Sequence, residues 1–317
     1  MQQIDGVEVT GCRRPSGPAA LVGTTASGKS GLALAMARRD PTIELVSVDS
    51  MQVYRGMDVG TDKPTPDERA EVRHHLLDIV DPWEEFTVAA FAEHARTAIA
   101  DIEARGRRPL LVGGTGLYLR AVIDDLTVPG RFPDARAEVE SEPDTRALHR
   151  RLAELDPVAA ARMEPTNRRR IVRALEVTLG SGRPFSSFGP GLEAYPPSRF
   201  ALLGIELPFP AIAARIEERY RRQLAAGLVD EARRLLDDAR GVSRTARQAL
   251  GYKELFDHLA GACSLDEAME LAVRRTRRFA RRQRSWFRRD PRIRWLCADD
   301  PADLVEPLAI ELGISSG

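Results

Sequence analysis

The segment from Gly23 to Ser30 constrains the fold of this chain more than any other feature. Its sequence, Gly-Thr-Thr-Ala-Ser-Gly-Lys-Ser, fits the phosphate-binding loop pattern G-x-x-x-x-G-K-[ST]. The apolar run 19–22 precedes the loop, and a helical pattern follows it from Leu32 to Met36. A loop between a buried strand and a helix N-terminus predicts an anion site. In such a loop Lys29 reaches the terminal phosphates, and the hydroxyl of Ser30 ligates Mg²⁺.

Two further predicted strands end in residues that can contact a ligand. The run 43–48 ends at Asp49, and the run 109–112 ends at Gly113-Gly114-Thr115-Gly116. Strands that alternate with helices predict a doubly wound parallel sheet, in which ligands bind at the carboxyl ends of the strands. We therefore expect an α/β fold with a P-loop NTPase-like core, a parallel sheet with flanking helices, and a helical insertion domain. The phosphate loop, Asp49 and the 113–116 turn should share one crevice.

Composition divides the chain into four segments. Residues 1–17 are rich in Gly, Pro and polar residues and are expected to form a flexible lead-in. Residues 18–128 should form the first part of the core. Residues 129–198 contain Arg-rich helical patterns between Pro-rich stretches, which predicts a helical insertion. Residues 199–317 should complete the core with a returning strand and C-terminal helices.

Charge and cysteine content narrow the classes of protein that fit. The 317 residues include 47 Lys or Arg and 47 Asp or Glu, so nucleic acid could be attracted only by local clusters. No signal segment and no apolar run long enough to span a membrane is visible. The three cysteines lie far apart without metal-binding spacing. We expect a reduced cytoplasmic protein with no membrane partner, and nothing requires more than a monomer.

Asp49 and Thr115 are the candidates for chemistry in the predicted crevice. A carboxylate beside a phosphate site can act as a general base toward a nucleophile, although Asp-Ser is also common in turns and helix caps. The hydroxyl of Thr115 would reach a phosphate oxygen, although a Gly-Gly-Thr-Gly turn can also serve backbone geometry alone. Phosphoryl transfer and alkyl transfer both need a phosphate cradle and a base. The residues by themselves leave both reactions open.

Basic residues cluster in two segments. The run 274–289 contains no acidic residue, and Asn167–Arg173 forms a second cluster. On a helix the first run predicts a cationic surface that suits a phosphate backbone, formed by Arg274, Arg277, Arg278, Arg281, Arg282 and Arg288. A solvated helix face balanced by acidic helices would have the same composition.

Several segments match one known family in order and spacing. Besides the phosphate loop they are 47–61, Lys63-Pro64, 75–78, 111–118, Asp156-Pro157, 170–176 and Gly251-Tyr252-Lys253. From about residue 18 to 296 the chain resembles the bacterial tRNA dimethylallyltransferases. The resemblance implies transfer of a dimethylallyl group from dimethylallyl diphosphate to N6 of the adenosine 3′ of the anticodon (tRNA position 37), with release of diphosphate. It also implies Mg²⁺ as cofactor and the tRNA anticodon stem-loop as partner.

The resemblance assigns roles to residues of this chain. Asp49 would accept a hydrogen bond or proton from N6, and Thr115 would hydrogen-bond the leaving oxygen. The residues expected to bind diphosphate are Gly23, Thr24, Thr25, Ala26, Ser27, Gly28, Lys29, Ser30 and Arg219, with Ser30 also on Mg²⁺. The residues expected to contact tRNA are Asp49, Ser50, Met51, Gln52, Arg136, Arg169, Arg170, Arg173, Arg247, Gly251, Tyr252 and Lys253. The target base would be flipped out of its stack to reach the pocket.

Two other classes are compatible with the phosphate loop. A small-molecule or nucleotide kinase would bind ATP there and use Asp49 as base, but it leaves the Arg-rich insertion without a role. A nucleotide-gated RNA-binding protein fits less well, because glycines and not an acidic residue follow Val112. The choice of ligand discriminates, since a kinase needs ATP and a transferase binds dimethylallyl diphosphate.

Overall fold

The computed structural model describes residues 17–189 and 191–314, so the predicted lead-in lies outside these ranges except for Gly17. The strands are β1 (Ala19–Gly23), β2 (Ile43–Val48), β3 (His74–His75), β4 (Arg108–Gly113), β5 (Ala201–Glu206) and β6 (Arg294–Cys297). The first helices are α1 (Lys29–Arg39), α2 (Pro66–Glu71), α3 (Val88–Ala104), α4 (Gly116–Ile123), α5 (Pro133–Glu140), α6 (Thr145–Leu155) and α7 (Pro157–Ala161). The others are α8 (Arg168–Ser181), α9 (Phe209–Ala225), α10 (Leu228–Asp237), α11 (Tyr252–Leu259), α12 (Leu265–Phe287) and α13 (Val305–Glu311). Short 3-10 helices span Phe185–Phe188, Ala246–Gln248 and Pro301–Leu304.

All strand pairs in the sheet are parallel, and their order is β3-β2-β4-β1-β5-β6. Every residue of β1 and β2 is buried, which explains their almost continuous apolar sequence. Val22 pairs with Gly113, which also pairs with Val48, so β1, β4 and β2 end side by side. The predicted parallel α/β core is therefore confirmed.

Side-chain caps fix where several helices begin. Thr65 and Glu68 form a reciprocal capping box at the start of α2, and Ser264 and Glu267 form another before α12. The hydroxyl of Thr87 accepts the N–H of Ala90 at 3.2 Å and caps α3. Each cap supplies a side-chain partner for an N–H group that has none within the first turn of its helix.

The chain divides into two compact units. The first consists of the chain up to Leu119 and from Ser198 onward. Its core packs α1 and α13 against the sheet around Leu21, Met36 and Leu308, each at most 1% exposed. Among the residues described, no helix is long and apolar enough to cross a membrane.

The second unit, Arg120–Pro197, is helical and has its own apolar core around Leu148, Leu152, Ile171 and Leu175. It begins earlier than the insertion expected at 129–198. Arg120 explains the difference, because its guanidinium donates to the carbonyl oxygens of Leu192 and Ala194, at 3.0 and 2.6 Å, and so joins the two ends of this unit.

Candidate active site at the phosphate loop

The loop between β1 and α1 has the backbone of an anion cradle. Gly28 adopts φ 84° directly before α1, in the left-handed region that favours glycine. A Cβ on Gly23 would lie 2.8 Å from the hydroxyl oxygen of Ser27 and 3.0 Å from the carbonyl oxygen of Ile205, so a side chain does not fit there. The first N–H groups of α1 have no partner inside the helix and favour an anion at this end.

A cavity of about 560 Å³ lies above this loop. Its lining includes the loop residues Thr25, Ala26, Gly28, Lys29 and Ser30, with Asp49, Gln52, Thr61, Asp62, Val112 and Gly113 from the neighbouring strand ends. Residues of α9 and of the segment 300–305 complete it. The loop, Asp49 and Gly113 therefore share one crevice, as predicted, but the rest of the 113–116 turn does not line it. Gly23, Thr24 and Ser27 belong to the loop but do not line the cavity.

Lys29 is the cation at the centre of the cradle. Its Nζ donates to the carbonyl oxygen of Thr24 at 3.4 Å. Burial lowers the pKa of Lys29, and the positive charge of Arg219 lowers it further, whereas the carboxylates of Asp49 and Asp62 oppose the shift. A polyanion in the cavity would favour the protonated form of this lysine.

Three arginines of α9 line the same cavity. Arg215, Arg219 and Arg222 are spaced four and three residues apart, which places them on one face of the helix. Arg219 Nη1 donates to the hydroxyl of Thr25 at 2.7 Å, and Arg215 Nε donates to the carbonyl oxygen of Ala26 at 2.9 Å. Of these three arginines only Arg219 was predicted from the sequence. The spacing of Arg215 and Arg222 from it also indicates the same face of a helix.

Thr115 is held against Ser50, the residue that follows Asp49, and does not itself line the cavity. The N–H of Ser50 donates to the hydroxyl oxygen of Thr115 at 3.3 Å, which ties the end of β2 to the turn after β4. Asp49 Oδ1 accepts the N–H of Met51 at 2.8 Å. This is the turn geometry that the sequence offered as the alternative to catalysis, and it also orients the carboxylate of a residue that lines the cavity.

Gln52 shapes the wall of the cavity through both ends of its amide. Its Oε1 accepts a hydrogen bond from the hydroxyl of Ser47 at 2.7 Å, and its Nε2 donates to the carbonyl oxygens of Thr61 and Asp62 at 3.1 and 3.2 Å. This amide therefore holds the 61–62 turn against the end of β2. The predicted contact of Gln52 with tRNA stays a prediction.

A buried carboxylate anchors the loop that leads to Asp62. Glu231 accepts hydrogen bonds from the N–H groups of Asp58, Val59 and Gly60 at 2.9 to 3.1 Å. The hydroxyl of Tyr252 donates to the same carboxylate at 2.5 Å. Burial raises the pKa of Tyr252, and the negative charge of Glu231 raises it further. The sequence analysis did not select Glu231.

The residues predicted to contact tRNA at 247–253 differ in accessibility. The ring of Tyr252 is fully buried, and a Cβ on Gly60 would lie 2.4 Å from it, so this side chain supports the 58–60 loop and the prediction of a tRNA contact for it is wrong. The N–H of Gly251 donates to Glu254 at 2.8 Å and starts α11. Arg247 is exposed and Lys253 is half-buried, so both are accessible.

Within the second unit, the four arginines predicted to contact tRNA fall into two pairs. Arg136 and Arg173 both bind the buried carboxylate of Glu176, at 3.3 and 2.7 Å. Arg169 and Arg170 are exposed, and no ion pair is recorded for them among the described residues. The second pair therefore has guanidinium groups available for a phosphate backbone.

The arginine run of α12 is partly neutralised. Arg277 pairs with Glu217 at 2.5 Å, Arg288 with Glu206 at 2.5 Å and Arg274 with Glu270 at 3.4 Å. Arg278, Arg281 and Arg282 are exposed, with no recorded carboxylate partner in the described part of the chain. The predicted cationic surface is thus narrower than the sequence suggested, because Glu217 of α9, Glu206 of β5 and Glu270 of α12 itself neutralise part of it.

These features define an α/β protein with a P-loop, whose cleft brings Lys29 and three arginines of α9 together with the carboxylate of Asp49. Residues 52–290 match the family model described as IPP transferase. The chain belongs to this family.

The most similar relatives agree with this assignment. A tRNA dimethylallyltransferase of Kineococcus radiotolerans is 50% identical over 90% of this chain and 92% of its own length. The tRNA dimethylallyltransferase of Geobacter metallireducens is 52% identical over 86% of this chain and 90% of its own.

Solved structures show the same likeness. The tRNA isopentenylpyrophosphate transferase of Bacillus halodurans has a TM-score of 0.67 and 38% identity, over 94% of this chain and 97% of its own. A eukaryotic dimethylallyltransferase, described as acting on tRNA, has a TM-score of 0.76 and 25% identity, over 92% of this chain and 77% of its own.

Proposed function

We propose that this protein transfers a dimethylallyl group from dimethylallyl diphosphate to N6 of the adenosine 3′ of the anticodon in tRNA, and releases diphosphate. The observation that carries the proposal is the single cavity that Lys29, Ser30, Asp49 and Arg219 line in a chain of this family. The kinase alternative explains the phosphate loop equally well but not the family. Because the relatives are tRNA dimethylallyltransferases, we do not retain the kinase alternative.

The proposed reaction forms one bond and breaks one. The lone pair of N6 attacks the allylic carbon, the carbon–oxygen bond breaks, and its electron pair leaves on the diphosphate. Asp49 accepts the proton that N6 loses, and the hydroxyl of Thr115 donates a hydrogen bond to the leaving oxygen. Lys29, Arg219 and the N–H groups at the start of α1 balance the charge that develops on the diphosphate.

The donor set of the cavity fits Mg²⁺. Within residues 17–189 and 191–314 no group of three or more His, Cys, Asp or Glu side chains could hold a metal ion. A magnesium ion at Ser30 would therefore take most of its ligands from phosphate oxygens and water, which is its usual mode at phosphates. Bound there, it would neutralise part of the leaving group's charge.

The tRNA anticodon stem-loop would be held by exposed arginines, and the target base would be flipped to reach the cavity. Arg169, Arg170 and Arg247 are exposed and suit contacts with phosphates. We propose a monomer that works in the cytoplasm, where the tRNA is found.

The test is transfer of label from radioactive dimethylallyl diphosphate to unmodified tRNA, with Mg²⁺ and without ATP. Label in the tRNA, sensitive to Asp49→Ala, is the expected result. A folded protein that transfers no label, yet moves the γ-phosphoryl group of ATP to an acceptor, would contradict the proposal and return the loop to a kinase.

A further inference from the structure

Gln283 connects the two loops on which the proposed chemistry depends. Its Oε1 accepts the N–H of Thr25 at 2.8 Å, and its Nε2 donates to the carbonyl oxygen of Gly114 at 2.9 Å. Thr25 belongs to the phosphate loop, and Gly114 directly precedes Thr115. The side chain lies on α12 and is 6% exposed, so water competes little for either hydrogen bond.

The turn after β4 is fitted closely to this part of α12. A Cβ on Gly114 would lie 2.3 Å from Nε2 of Gln283, and a Cβ on Gly116 would lie 2.1 Å from Nε1 of Trp286. Both glycines therefore permit close approach of the turn to one face of α12. The amide of Gln283 therefore bridges the phosphate loop and the residue directly before Thr115. The glycines on either side of Thr115 allow this close approach.

Thr25 of the phosphate loop hydrogen-bonds to side chains of two helices, α9 and α12. The N–H of Thr25 donates to Gln283, and its hydroxyl accepts from Arg219. The N–H is thus occupied in this arrangement, whereas the hydroxyl keeps its own hydrogen to donate, and the predicted contact of Thr25 with diphosphate stays a prediction. Thr25 is the anchor through which α9 and α12 hold the loop.

We propose that Gln283 is a positioning residue for group transfer, which fixes the separation between the diphosphate cradle and Thr115. The inference rests on the proposed function. The leaving oxygen must meet Thr115 while its diphosphate sits in the loop, and such constellations work when held within about 0.5 Å. Gln283 lies outside the cavity lining and acts through Thr25 and Gly114.

Substitutions of Gln283 test this role by comparing two quantities, kcat for tRNA prenylation and the Kd for inorganic diphosphate. Gln283→Leu keeps a side chain of similar size and leaves the N–H of Thr25 and the carbonyl of Gly114 without partners. We expect kcat for tRNA prenylation to fall about 10-fold or more, since small misplacement at a reacting centre is costly. The Kd for inorganic diphosphate should change less than about 3-fold, because Gly28, Lys29 and Ser30 are untouched. Gln283→Glu keeps the acceptor for Thr25 but sets a carboxylate oxygen against the carbonyl oxygen of Gly114, so it should also lower kcat.

Thr276→Val is the matched control. Thr276 lies on the same helix, is buried, and hydrogen-bonds the hydroxyl of Tyr220 at 2.8 Å without touching either loop. It should alter the melting temperature as a buried substitution does but leave kcat nearly unchanged. If Gln283→Leu does not fold, Gln283→Glu and the double-mutant cycle described next are used instead.

A double-mutant cycle tests the connection directly. Gly114→Ala should displace the Gln283 amide, whereas Gln283→Ala removes it and relieves the closest contact of the new methyl group, which keeps a milder contact with the carbonyl oxygen of Gly23 at 3.2 Å. The double variant should therefore lose about as much kcat as the worse single variant, because both break one link. Losses that multiply would show two independent effects and overturn the proposal.

The remaining outcomes separate this inference from the proposed function. Wild-type protein that transfers label, with Gln283→Leu retaining full kcat, leaves the function standing and refutes the positioning role. A loss of diphosphate affinity as large as the loss of kcat would make Gln283 part of ground-state binding, which also refutes it. Wild-type protein without transfer would overturn the function and this inference together.

Discussion

Glu231 offers the sharpest test of how the loop beside the cavity is held. The carboxylate accepts four hydrogen bonds, from the N–H groups of Asp58, Val59 and Gly60 and from the hydroxyl of Tyr252. Glu231→Gln replaces one carboxylate oxygen with an amide group that donates. Each oxygen receives two of the four bonds, so an amide group turned toward Asp58 and Val59 would set two donors against another donor. Turned the other way it would oppose only the N–H of Gly60, because the hydroxyl of Tyr252 can reverse and accept.

The expected loss follows from this count. A hydrogen bond to a charged group contributes about 1.5–3 kcal/mol, so losing at least one should reduce the free energy of unfolding by about that amount. For a domain of this size that corresponds to a melting temperature lower by about 3–10 °C. The site is buried, with Glu231 3% exposed, so water does not replace the lost bonds.

Urea unfolding followed by tryptophan fluorescence measures this free energy of unfolding in the structural unit that contains Glu231. The three tryptophans, Trp83, Trp286 and Trp295, all belong to the unit that contains Glu231. Glu270→Gln is the control, because this exposed carboxylate only pairs with Arg274 at 3.4 Å and should change stability by less than about 0.5 kcal/mol. If Glu231→Gln unfolds at the same urea concentration as this control, the anchoring argument is refuted.

Three further predictions concern charge. Asp49→Ala should lower kcat for tRNA prenylation by about 10²-fold while tRNA affinity changes little, and preserved turnover would remove Asp49 as the base. Diphosphate binding should raise the pKa of Lys29, which burial lowers in the free protein. Calorimetry should therefore show wild-type affinity falling relative to Lys29→Arg as pH rises through that lowered pKa, and parallel pH profiles would contradict this. The hydrogen bonds from Arg105 and then His75 hold the pKa of Glu44 at about 2, against an ordinary 4.5. This stabilisation is present above pH 4.5 and is lost as pH falls toward 2, so Glu44→Gln should cost about 2 kcal/mol at pH 7 but almost nothing near pH 2 in urea titrations. A constant difference would contradict the Glu44 prediction.

The sheet and the phosphate loop could be predicted because their signals are local. Buried parallel strands require continuous apolar runs, and the loop pattern fixes glycines and a lysine within eight residues. The shared crevice followed from the rule on strand ends. The two-residue strand β3 was missed, because His74-His75 is too short to show a period.

The supports of the site could not be predicted, because they join residues far apart in sequence. Gln283 lies 258 residues from Thr25, and Glu231 lies 171 residues from Gly60. A lone Gln or Glu on an amphipathic helix carries no sign of such a partner. The misassigned Tyr252 has the same origin, since sequence does not distinguish a buried tyrosine beneath a loop from an accessible one.

The position of β1 in the sheet has a consequence for synthesis of the chain on the ribosome. One neighbour of β1, β4, precedes the Arg120–Pro197 unit in sequence, and the other, β5, follows it. A nascent chain therefore presents β1 with one open apolar edge until the whole intervening unit has been translated. That unit has an apolar core of its own, so it can fold before β5 pairs with β1. A nascent chain that has emerged from the ribosome as far as Pro197 but not yet through β5 thus has a complete helical unit and an incomplete sheet, and at this stage the edge of β1 is open to pairing with another chain.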